Sequence, residues 1–413
     1  MDPKNYNRLD PSIHKISNSM SLNEDRRKLV NAQLSELLES RLLPAMKEVD
    51  EDFRNLFQRL HYSGSYYENL RISEPNEFDL NLELRSQKGS QKFFQVHYTN
   101  EYPGFVQIKH IFGDTVKKWV NGSGFVMQHK VLCWLQGVVD KALRKISDGP
   151  WHKLWPGRSG PAVTLYAEYV PGEVFSVDLV PVFVLDPSQW PRSPVRQPVI
   201  TNNTFAEQWC VVPKPNNHID GNGNIGTFWR MSFYNQEKVI LKNKNHLKNA
   251  LKLMKLLRDK EGWHSLSSYY LKTVYLWTLT ETDSHFWNAG IGVVFMNMLR
   301  TLRDYLKEKQ SIPFFWDSGL NVLSSIDLVE ILNIGYRLDR IIKNIDRNLN
   351  DGNPQYIEKL FPVSDRSQNP STDESPTESL QQANSHGWKI AVGVGALAIV
   401  GAVLFKSLGN NRD

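Results

Sequence analysis

Two short segments of the sequence place acidic residues at spacings that suit metal chemistry. Glu77 and Asp79 are separated by one residue, so on a β-strand both carboxylates would lie on one face while Phe78 points into the core. Asp178 interrupts the apolar run 175–180, where an acid is costly unless it is paired or binds a metal. Three carboxylates on neighbouring strands make a hard oxygen site for Mg²⁺ or Mn²⁺, which also recruits substrate phosphates. Two such ions can activate an attacking hydroxyl and stabilise a leaving pyrophosphate.

A Gly-Ser pair stands upstream of these acids. Gly64 and Ser65 can offer backbone N–H groups and a hydroxyl to a triphosphate, and Ser65 precedes Glu77 by twelve residues. A Glu-x-Asp pair by itself is most often a solvated piece of strand. Gly-Ser upstream and a lone strand Asp about a hundred residues later make the combination more specific. Together they match the pattern of nucleotidyltransferases of the polymerase-beta type.

The elements that must position these residues divide the chain into a mixed first half and a helical second half. Apolar residues recur at helical spacing from Val30 to Leu60, which predicts one long helix that is kinked or broken at Pro44, or two helices in series. We therefore expect an α+β fold with a long N-terminal spine helix, a mixed sheet that carries the acids, and a helical C-terminal lobe from about residue 235 onward. Strand-like patterns cover 78–84, 92–98, 162–169 and 174–185, and a helix is predicted over 125–146.

Several longer motifs occur in order over roughly residues 20–345. These segments resemble the animal cyclic GMP-AMP synthase-like receptors, which are relatives of the oligoadenylate synthases. The resemblance implies a bilobal polymerase-beta-type nucleotidyltransferase fold in a nucleic-acid sensor of innate immunity. Such an enzyme makes a cyclic dinucleotide second messenger from ATP and GTP. The motifs that carry the resemblance are 64–79, 160–165, 176–178, 212–215, 221–223, 229–233, 252–255, 267–269 and 272–273.

The resemblance also implies a role for individual residues. Glu77, Asp79 and Asp178 would hold two Mg²⁺ ions, and Asp178 would help to activate the attacking sugar hydroxyl. The nucleotides would be bound by a second set. Gly64 and Ser65 would contact the donor triphosphate, Arg230 and Ser232 would read the acceptor base, Lys255 and Ser268 would contact the donor phosphates, and Tyr269 would stack on a base.

The sequence departs from the DNA-sensing vertebrate member of this family at the zinc-binding insertion. The segment 242–246 runs straight into the next helical pattern without a cysteine, and the whole chain has two, Cys133 and Cys210. We therefore expect no zinc, because a zinc thumb needs a cluster of Cys and His ligands. The two cysteines also exclude a disulfide framework. This departure weakens double-stranded DNA as the activating partner and favours double-stranded RNA or an unidentified ligand.

Basic residues are concentrated locally in a chain whose formal net charge is only +5. Lys248, Lys252 and Lys255 recur at i, i+4 and i+7 on one predicted helix face. One interpretation is a solvated helix face. The other combines phosphate binding by Lys255 with a duplex-binding platform, which would hold nucleic acid largely through phosphate contacts. The platform residues would be Arg26, Arg27, Lys28, Lys242, Lys244 and Lys248.

The C-terminal end differs from the rest of the chain. Residues 390–405 contain no polar side chain, and Trp388, Lys389 and Lys406 flank them as interfacial anchors. Sixteen residues span roughly 24 Å as a helix, which is short for a membrane, and a buried core helix is the alternative. We expect a single-pass tail anchor at 387–413, with the mitochondrial outer membrane slightly favoured over the endoplasmic reticulum. The expected order is a flexible N-terminus (1–20), the nucleotidyltransferase core (21–200), the helical lobe (201–362), a disordered linker (363–386) and the anchor.

Two functions remain in competition on the sequence alone. Hydrophobic residues form 40% of the 413 residues, which excludes a wholly disordered chain. The first hypothesis is a membrane-tethered, duplex-activated nucleotidyltransferase, with a dimer on the ligand as one expected assembly. The second is a catalytically inactive, membrane-anchored relative that acts as a nucleotide-regulated scaffold or receptor. The complete carboxylate set favours the enzyme, because a scaffold has no catalytic need for Asp178 in an apolar strand.

Overall fold

The computed structural model describes residues 3–19, 24–67, 70, 76–146, 149–191, 195–196, 208–214, 226–282 and 284–361. The predicted linker at 363–386 and the predicted anchor at 387–413 lie outside these ranges, as does the side chain of Ser65. Within the described ranges, no helix is both long enough and apolar enough to cross a membrane.

A mixed sheet forms the centre of the described chain. Nine strands pair in the order β1–β2–β9–β10–β11–β6–β5, with β8 beside β9 and β7 beside β8, while β3 and β4 form a separate hairpin. Strands β2 and β9 run parallel, and the other pairs are antiparallel. The strands are β1 (Phe57–Ser63), β2 (Glu77–Arg85), β3 (Gln87–Lys88), β4 (Gln91–Lys92), β5 (Phe94–Tyr98), β6 (Phe105–His110), β7 (Lys153–Ser159), β8 (Ala162–Val170), β9 (Glu173–Leu185), β10 (Trp209–Val212) and β11 (Phe228–Ser232).

Helices occur before the first strand, between strands and after the last strand. The helices are α1 (Asp10–Ser19), α2 (Glu24–Ser35), α3 (Leu43–Val49), α4 (Glu51–Leu56), α5 (Gly64–Tyr67), α6 (Asp114–Lys117), α7 (Gln128–Lys145), α8 (Tyr234–Ile240), α9 (Asn245–Lys260), α10 (Ser268–Glu281), α11 (Ile291–Asp304) and α12 (Leu328–Asn350). Short 3-10 segments cover Pro3–Leu9, Pro187–Gln189, Ser284–Asn288 and Pro354–Leu360, and π-helical turns cover Glu36–Leu42 and Tyr305–Lys309.

Strand β2 shows why the acids are left on an open face. Phe78, Leu80 and Leu82 alternate along it and are at most 1% exposed, in a core shared with α2, α3, α7, β8 and β9. Because side chains alternate between the faces of a strand, Glu77 and Asp79 must lie on the opposite face. A second and larger core joins α9–α12 to the far end of the sheet.

The predicted spine helix is a series of shorter segments. A π-helical turn separates α2 from α3, and Pro44 occupies the first turn of α3, where its missing N–H is tolerated. The prediction of a helix up to Leu60 was wrong, because α4 ends at Leu56 and β1 follows at once. Pairing of β1 with the buried strand β2 overrides the helical period.

The N-terminus differs from the flexible segment predicted for residues 1–20. Residues 3–19 are helical, and Tyr6, Leu9, Ile13 and Ile16 are each at most 2% exposed in the larger core. The hydroxyl of Tyr6 donates to Asp346 Oδ1 at 2.7 Å. Four apolar side chains spread over a polar segment are too few to predict burial from the sequence. They nevertheless dock two short helical segments against the larger core.

The boundary between the lobes lies later than the predicted position at residue 200. Strands β10 and β11 belong to the sheet, since β10 pairs with β9 and β11 pairs with β6. The sheet-containing lobe therefore continues to Ser232, and the helical lobe starts with α8. These strands have only four and five residues, which is too short for a periodic signal.

Candidate active site

The three predicted carboxylates come together on one face of the sheet. Asp79 on β2 and Asp178 on β9 are register partners, and Glu77 lies opposite Ser176 one step along the same face. Neighbouring strands are about 4.8 Å apart, so the Asp79 and Asp178 side chains project side by side. Glu77 is exposed, whereas Asp79 and Asp178 are half-buried. The structure thus confirms that the acids share one face and that Phe78 faces the core.

Asp178 has a distinctive environment within this group. Burial raises the pKa of its carboxyl, and a hydrogen bond from Thr164 opposes that shift. Thr164 is the register partner of Asp178 on β8, and its hydroxyl donates to Asp178 Oδ1 at 2.6 Å. A half-buried carboxylate with a raised pKa is a better proton acceptor than a solvated one.

Gly64 closes tightly over Asp79. Its φ of +76° lies in the left-handed region, and a Cβ placed on it would overlap Oδ2 of Asp79. The adjacent Ser63 hydroxyl donates to the main-chain oxygen of Asp79 at 3.0 Å. Only glycine therefore allows the Gly-Ser segment to approach the carboxylate edge this closely.

The donor chemistry of this edge fits a hard divalent cation. Oxygen ligands from Glu77, Asp79 and Asp178 are those that Mg²⁺ and Mn²⁺ prefer. Among the described residues, no group of three or more Asp, Glu, His or Cys side chains is already gathered into a metal cage. Mg²⁺ is typically bound by one or two carboxylates together with waters and substrate phosphates, so an open carboxylate edge is compatible with such an ion.

A second region of the same face carries two half-buried cations, Arg230 and Lys214. Ser232 on β11 pairs with Cys210 on β10, and Cys210 pairs with Val184 on β9. Val184 and Asp178 are an even number of residues apart on β9, so Ser232 lies on the same face of the sheet as Asp178. Arg230 lies two residues before Ser232, with its guanidinium 4.0 Å from the ring centre of Phe314. Burial lowers the pKa of Arg230 to about 10.

Lys214 is a residue that the sequence analysis missed. Burial, together with the charge of Arg230, lowers the pKa of its amine to about 8. Within the described part of the chain, neither side chain forms an ion pair or a hydrogen bond. Asp317 and Glu237 only partly offset the loss of solvation at Arg230, so two adjacent cations here suit an anionic or electron-rich ligand. The only signal in the sequence was a lone lysine in a Val-Pro-Lys-Pro segment.

Tyr269 is held close to this cation pair by a buried ion pair. Its hydroxyl donates to Glu237 Oε1 at 2.9 Å, and Glu237 Oε2 lies 2.8 Å from Lys272 Nζ. Burial alone would raise the pKa of Glu237, but Lys272 and the hydrogen bonds from Tyr269 and Trp316 lower it below its usual range. The hydrogen bond to Glu237 therefore holds the Tyr269 side chain near Arg230.

The predicted phosphate-binding residues lie where α9 ends and α10 begins. Lys255 is 5% exposed and donates to the main-chain oxygen of Leu70, in the segment that follows Gly64. Ser268 is in the first turn of α10 and accepts a hydrogen bond of 2.8 Å from Arg258, which the sequence analysis missed as part of this corner. Helix N-termini and buried cations both favour anions, so this corner is suited to phosphates.

A buried polar network that the sequence did not indicate completes the face. Glu83 on β2 is fully buried, receives two hydrogen bonds from Arg59 at 2.6 and 2.9 Å, and accepts a third from Tyr234 at 2.6 Å. The His61 ring lies against Tyr234, and burial lowers the pKa of His61 to about 4. The network ties β1, β2 and α8 together beside the carboxylates.

The predicted basic platform is gathered in part. Partial burial and the charges of Arg27 and Lys248 lower the pKa of Lys252. Arg27 is on α2 and both lysines are on α9, so the two helices contribute to one basic surface. We call Arg27, Lys248 and Lys252 the α2–α9 basic surface. Arg26 forms an ion pair of 2.6 Å with Glu173, so part of its charge is compensated. Lys28 and Lys242 are exposed, and Lys244 is half-buried.

The lowered pKa of Lys214 leads to a testable titration. In the folded protein this amine should lose its proton as the pH rises through about 8, whereas the ordinary pKa of a lysine amine is about 10.4. NMR of ¹³C-methylated lysines should show a signal with a midpoint near pH 8 that is absent in Lys214→Arg and retained in Lys242→Arg. Inorganic triphosphate should move this midpoint upward, because a bound anion stabilises the ammonium form. Persistence of the signal in Lys214→Arg would contradict the assignment.

Two family models match consecutive parts of the chain. The Mab-21 protein nucleotidyltransferase domain matches residues 66–243, and the Mab-21 protein HhH/H2TH-like domain matches residues 246–340. Their junction falls between α8 and α9, after the last strand of the sheet. The matches therefore agree with the later lobe boundary in the structure.

Curated relatives are similar over most of the chain. A cyclic GMP-AMP synthase-like receptor of Ctenocephalides felis is 31% identical over 395 residues, which cover 87% of this chain and 89% of the relative. The receptor of the same name from Tribolium castaneum is 32% identical, and the match covers 77% of this chain and 84% of the relative. That from Aethina tumida is 30% identical, and the match covers 84% of this chain and 90% of the relative. The carboxylate face, the two domain matches and these relatives lead to one conclusion: the chain belongs to the Mab-21 nucleotidyltransferase family, among the cyclic GMP-AMP synthase-like receptors.

Proposed function

We propose that this protein synthesises a cyclic dinucleotide of the cyclic GMP-AMP type from ATP and GTP in innate immune signalling, and that double-stranded RNA activates it. The observation that carries the proposal is the pairing of Asp79 with Asp178 on parallel strands, with Glu77 on the same face. A metal-binding acid edge beside buried cations is the arrangement that phosphoryl transfer needs, since the reaction is catalysed mainly by positioning and charge stabilisation.

Each residue of the face has a defined task in the proposed reaction. Glu77, Asp79 and Asp178 would hold Mg²⁺ or Mn²⁺, which would neutralise the donor triphosphate and the leaving pyrophosphate. The attacking sugar hydroxyl forms a bond to the α-phosphorus while the bond to pyrophosphate breaks. Asp178 accepts the hydroxyl proton, a role for which its raised pKa is suited.

Two groups of residues, one in the helical lobe and one mainly on the sheet, would divide the substrates between them. Lys255, Arg258 and Ser268 form a positive corner for the donor phosphates, together with the main chain of Gly64 and Ser65. The acceptor would lie against Arg230, Lys214, Ser232 and the Tyr269 ring, where an Arg can bind a purine edge and an aromatic ring can stack on a base. Such stacking contributes about 1–3 kcal/mol. Two successive transfers in this site would close the cyclic product.

The catalytic proposal is tested by product formation. The full chain, incubated with ATP, GTP, Mg²⁺ or Mn²⁺ and duplex RNA, should form a cyclic dinucleotide that is detected by liquid chromatography and mass spectrometry. Asp178→Asn should reduce the rate by about 10²–10⁴-fold, because it removes both a metal ligand and the proton acceptor. The exposed Asp351→Asn variant should be unaffected.

Two results would favour the inactive scaffold instead. One is the absence of any product with duplex RNA, duplex DNA or either metal. The other is a product whose yield is the same in wild type and in Asp178→Asn. Retained nucleotide binding without turnover would then point to a nucleotide-regulated receptor.

The activating duplex would lie on the α2–α9 basic surface. The proximity of Arg27 and Lys248 to Lys252 supports this proposal, because cations kept together on a surface form a phosphate-binding stripe. The same surface is continuous with the exposed Lys28 at the start of the spine. A-form duplexes are recognised mainly through their shape and backbone, which suits a surface of clustered cations.

The duplex proposal predicts a change in salt dependence. Neutralising Lys248 and Lys252 together as Lys248→Gln and Lys252→Gln should weaken duplex RNA binding and reduce the slope of log K against log salt by about two. Fluorescence anisotropy at several salt concentrations measures both quantities. Lys343→Gln on α12 is the matched control. An unchanged affinity and slope in the double variant would leave the solvated-face interpretation in place.

The C-terminal segment 387–413 would tether the enzyme to an intracellular membrane. The support is the apolar run 390–405 between Lys389 and Lys406. The catalytic body would then face the cytosol, with the mitochondrial outer membrane as the favoured location.

Membrane attachment is tested by carbonate extraction of cell fractions. The full chain should stay in the membrane pellet, and deletion of 387–413 should release it. Ile399→Lys should also release it, because a charge near the centre of a spanning helix costs about 2.5–3.5 kcal/mol. The control Asn411→Lys, outside the apolar run, should behave like the wild type. A full chain that remains soluble would contradict the anchor.

A further inference from the structure

Thr164, which is not among the predicted site residues, contacts the carboxylate of Asp178 directly. Thr164 on β8 is 2% exposed, and its hydroxyl donates to Asp178 Oδ1 at 2.6 Å. The structure gives this Asp178 carboxyl no other hydrogen bond among the described residues. The contact joins register partners on adjacent strands, so the backbone ladder itself keeps the two side chains together.

The position of Thr164 fixes which oxygen of Asp178 is available. Strand β9 lies between β8 and β2, so Thr164 is on one side of Asp178 and Asp79 is on the other. An Asp carboxyl rotates easily about its last torsion unless a partner holds it. With Oδ1 engaged by Thr164, Oδ2 is left on the side of Asp79, where the proposed metal and the attacking hydroxyl would be.

The rest of β8 indicates that the hydroxyl is not there for packing. Val163 and Leu165, on either side of Thr164, are at most 1% exposed and pack in the core on the opposite face. Thr164 shares the open face of Asp178, yet it is itself covered. A valine would fill the same space, so the hydroxyl is the feature that the position requires.

We propose that Thr164 is a positioning residue that orients the carboxylate of Asp178 for metal binding and proton acceptance. This inference rests on the proposed function, because it concerns the same carboxylate. Partners that orient metal ligands from behind typically change metal affinity or activity by about 10–100-fold when they are removed. The same order of effect is expected for loss of the Thr164 hydroxyl.

The experiment compares metal binding by variants of the full chain. Thr164→Val removes the hydroxyl and keeps the branched shape, whereas Thr164→Ser keeps the hydroxyl. Free Mn²⁺, measured by electron paramagnetic resonance, should show about 10–100-fold weaker binding in Thr164→Val and binding close to wild type in Thr164→Ser. The Mg²⁺ concentration for half-maximal product formation should rise in the same order. Thr278→Val, which removes another buried hydroxyl in α10, should leave both quantities unchanged.

The outcomes separate this inference from the proposed function. Asp178→Asn should weaken Mn²⁺ binding, and wild-type affinity in Thr164→Val alongside that loss would overturn the positioning role alone. Unchanged Mn²⁺ binding in Asp178→Asn would overturn the carboxylate site and both proposals. Circular dichroism checks folding, and Thr164→Ala, which also lacks the hydroxyl, replaces Thr164→Val if that variant unfolds. Loss of binding in Thr164→Ser as well would show that shape, and not the hydroxyl, matters.

Discussion

The parallel pairing of β2 with β9 is the constraint on which the rest of the site depends. It joins segments about a hundred residues apart and sets Asp79 beside Asp178 as register partners. A shift of one residue in this register would turn one of the acids into the core, because side chains alternate along a strand. The apolar side chains of β2 prevent such a shift, since Phe78, Leu80 and Leu82 are buried together. The like charges of the acids therefore stay adjacent because of packing on the other side of the sheet.

Around this edge, the molecule separates its charges by element. The predicted metal-binding acids come from the sheet, the buried cations Lys255 and Arg258 come from α9, and the half-buried Arg230 and Lys214 come from β11 and the segment after β10. Lys255 and Arg258 are 5% and 9% exposed, although their desolvation is costly without a partner. Lys255 binds a main-chain oxygen and Arg258 pairs with Asp259, while Lys214 and Arg230 repel each other. A bound anionic substrate would relieve that repulsion, so part of the binding energy is already present as electrostatic strain in the protein.

The sequence predicted the site better than it predicted the fold around it. The alternation in β2 and the lone acid in β9 predicted that the three acids share one face, because both signals are local. The sequence pattern predicts a helix over the start of β1 and gives no strand at β10 or β11, since the stability of these strands comes from neighbours far along the chain. Glu83 illustrates the same limit, because its partners Arg59 and Tyr234 are 24 and 151 residues away. Lys214 carries no periodic signal at all, and only its burial beside Arg230 distinguishes it.

The docking of residues 3–19 has a consequence for biosynthesis. Tyr6 contacts Asp346 across 340 residues, and Asp10 binds the backbone of Gly292. At about 5–20 residues per second, a ribosome needs roughly 20–70 s to make the partner of Tyr6 after Tyr6 itself has emerged. The sheet lobe can assemble during this time, but the helical lobe cannot close. Residues 3–19 are thus synthesised before the helical lobe but dock among the last, and the second domain is completed only when the region around Asp346 has been made.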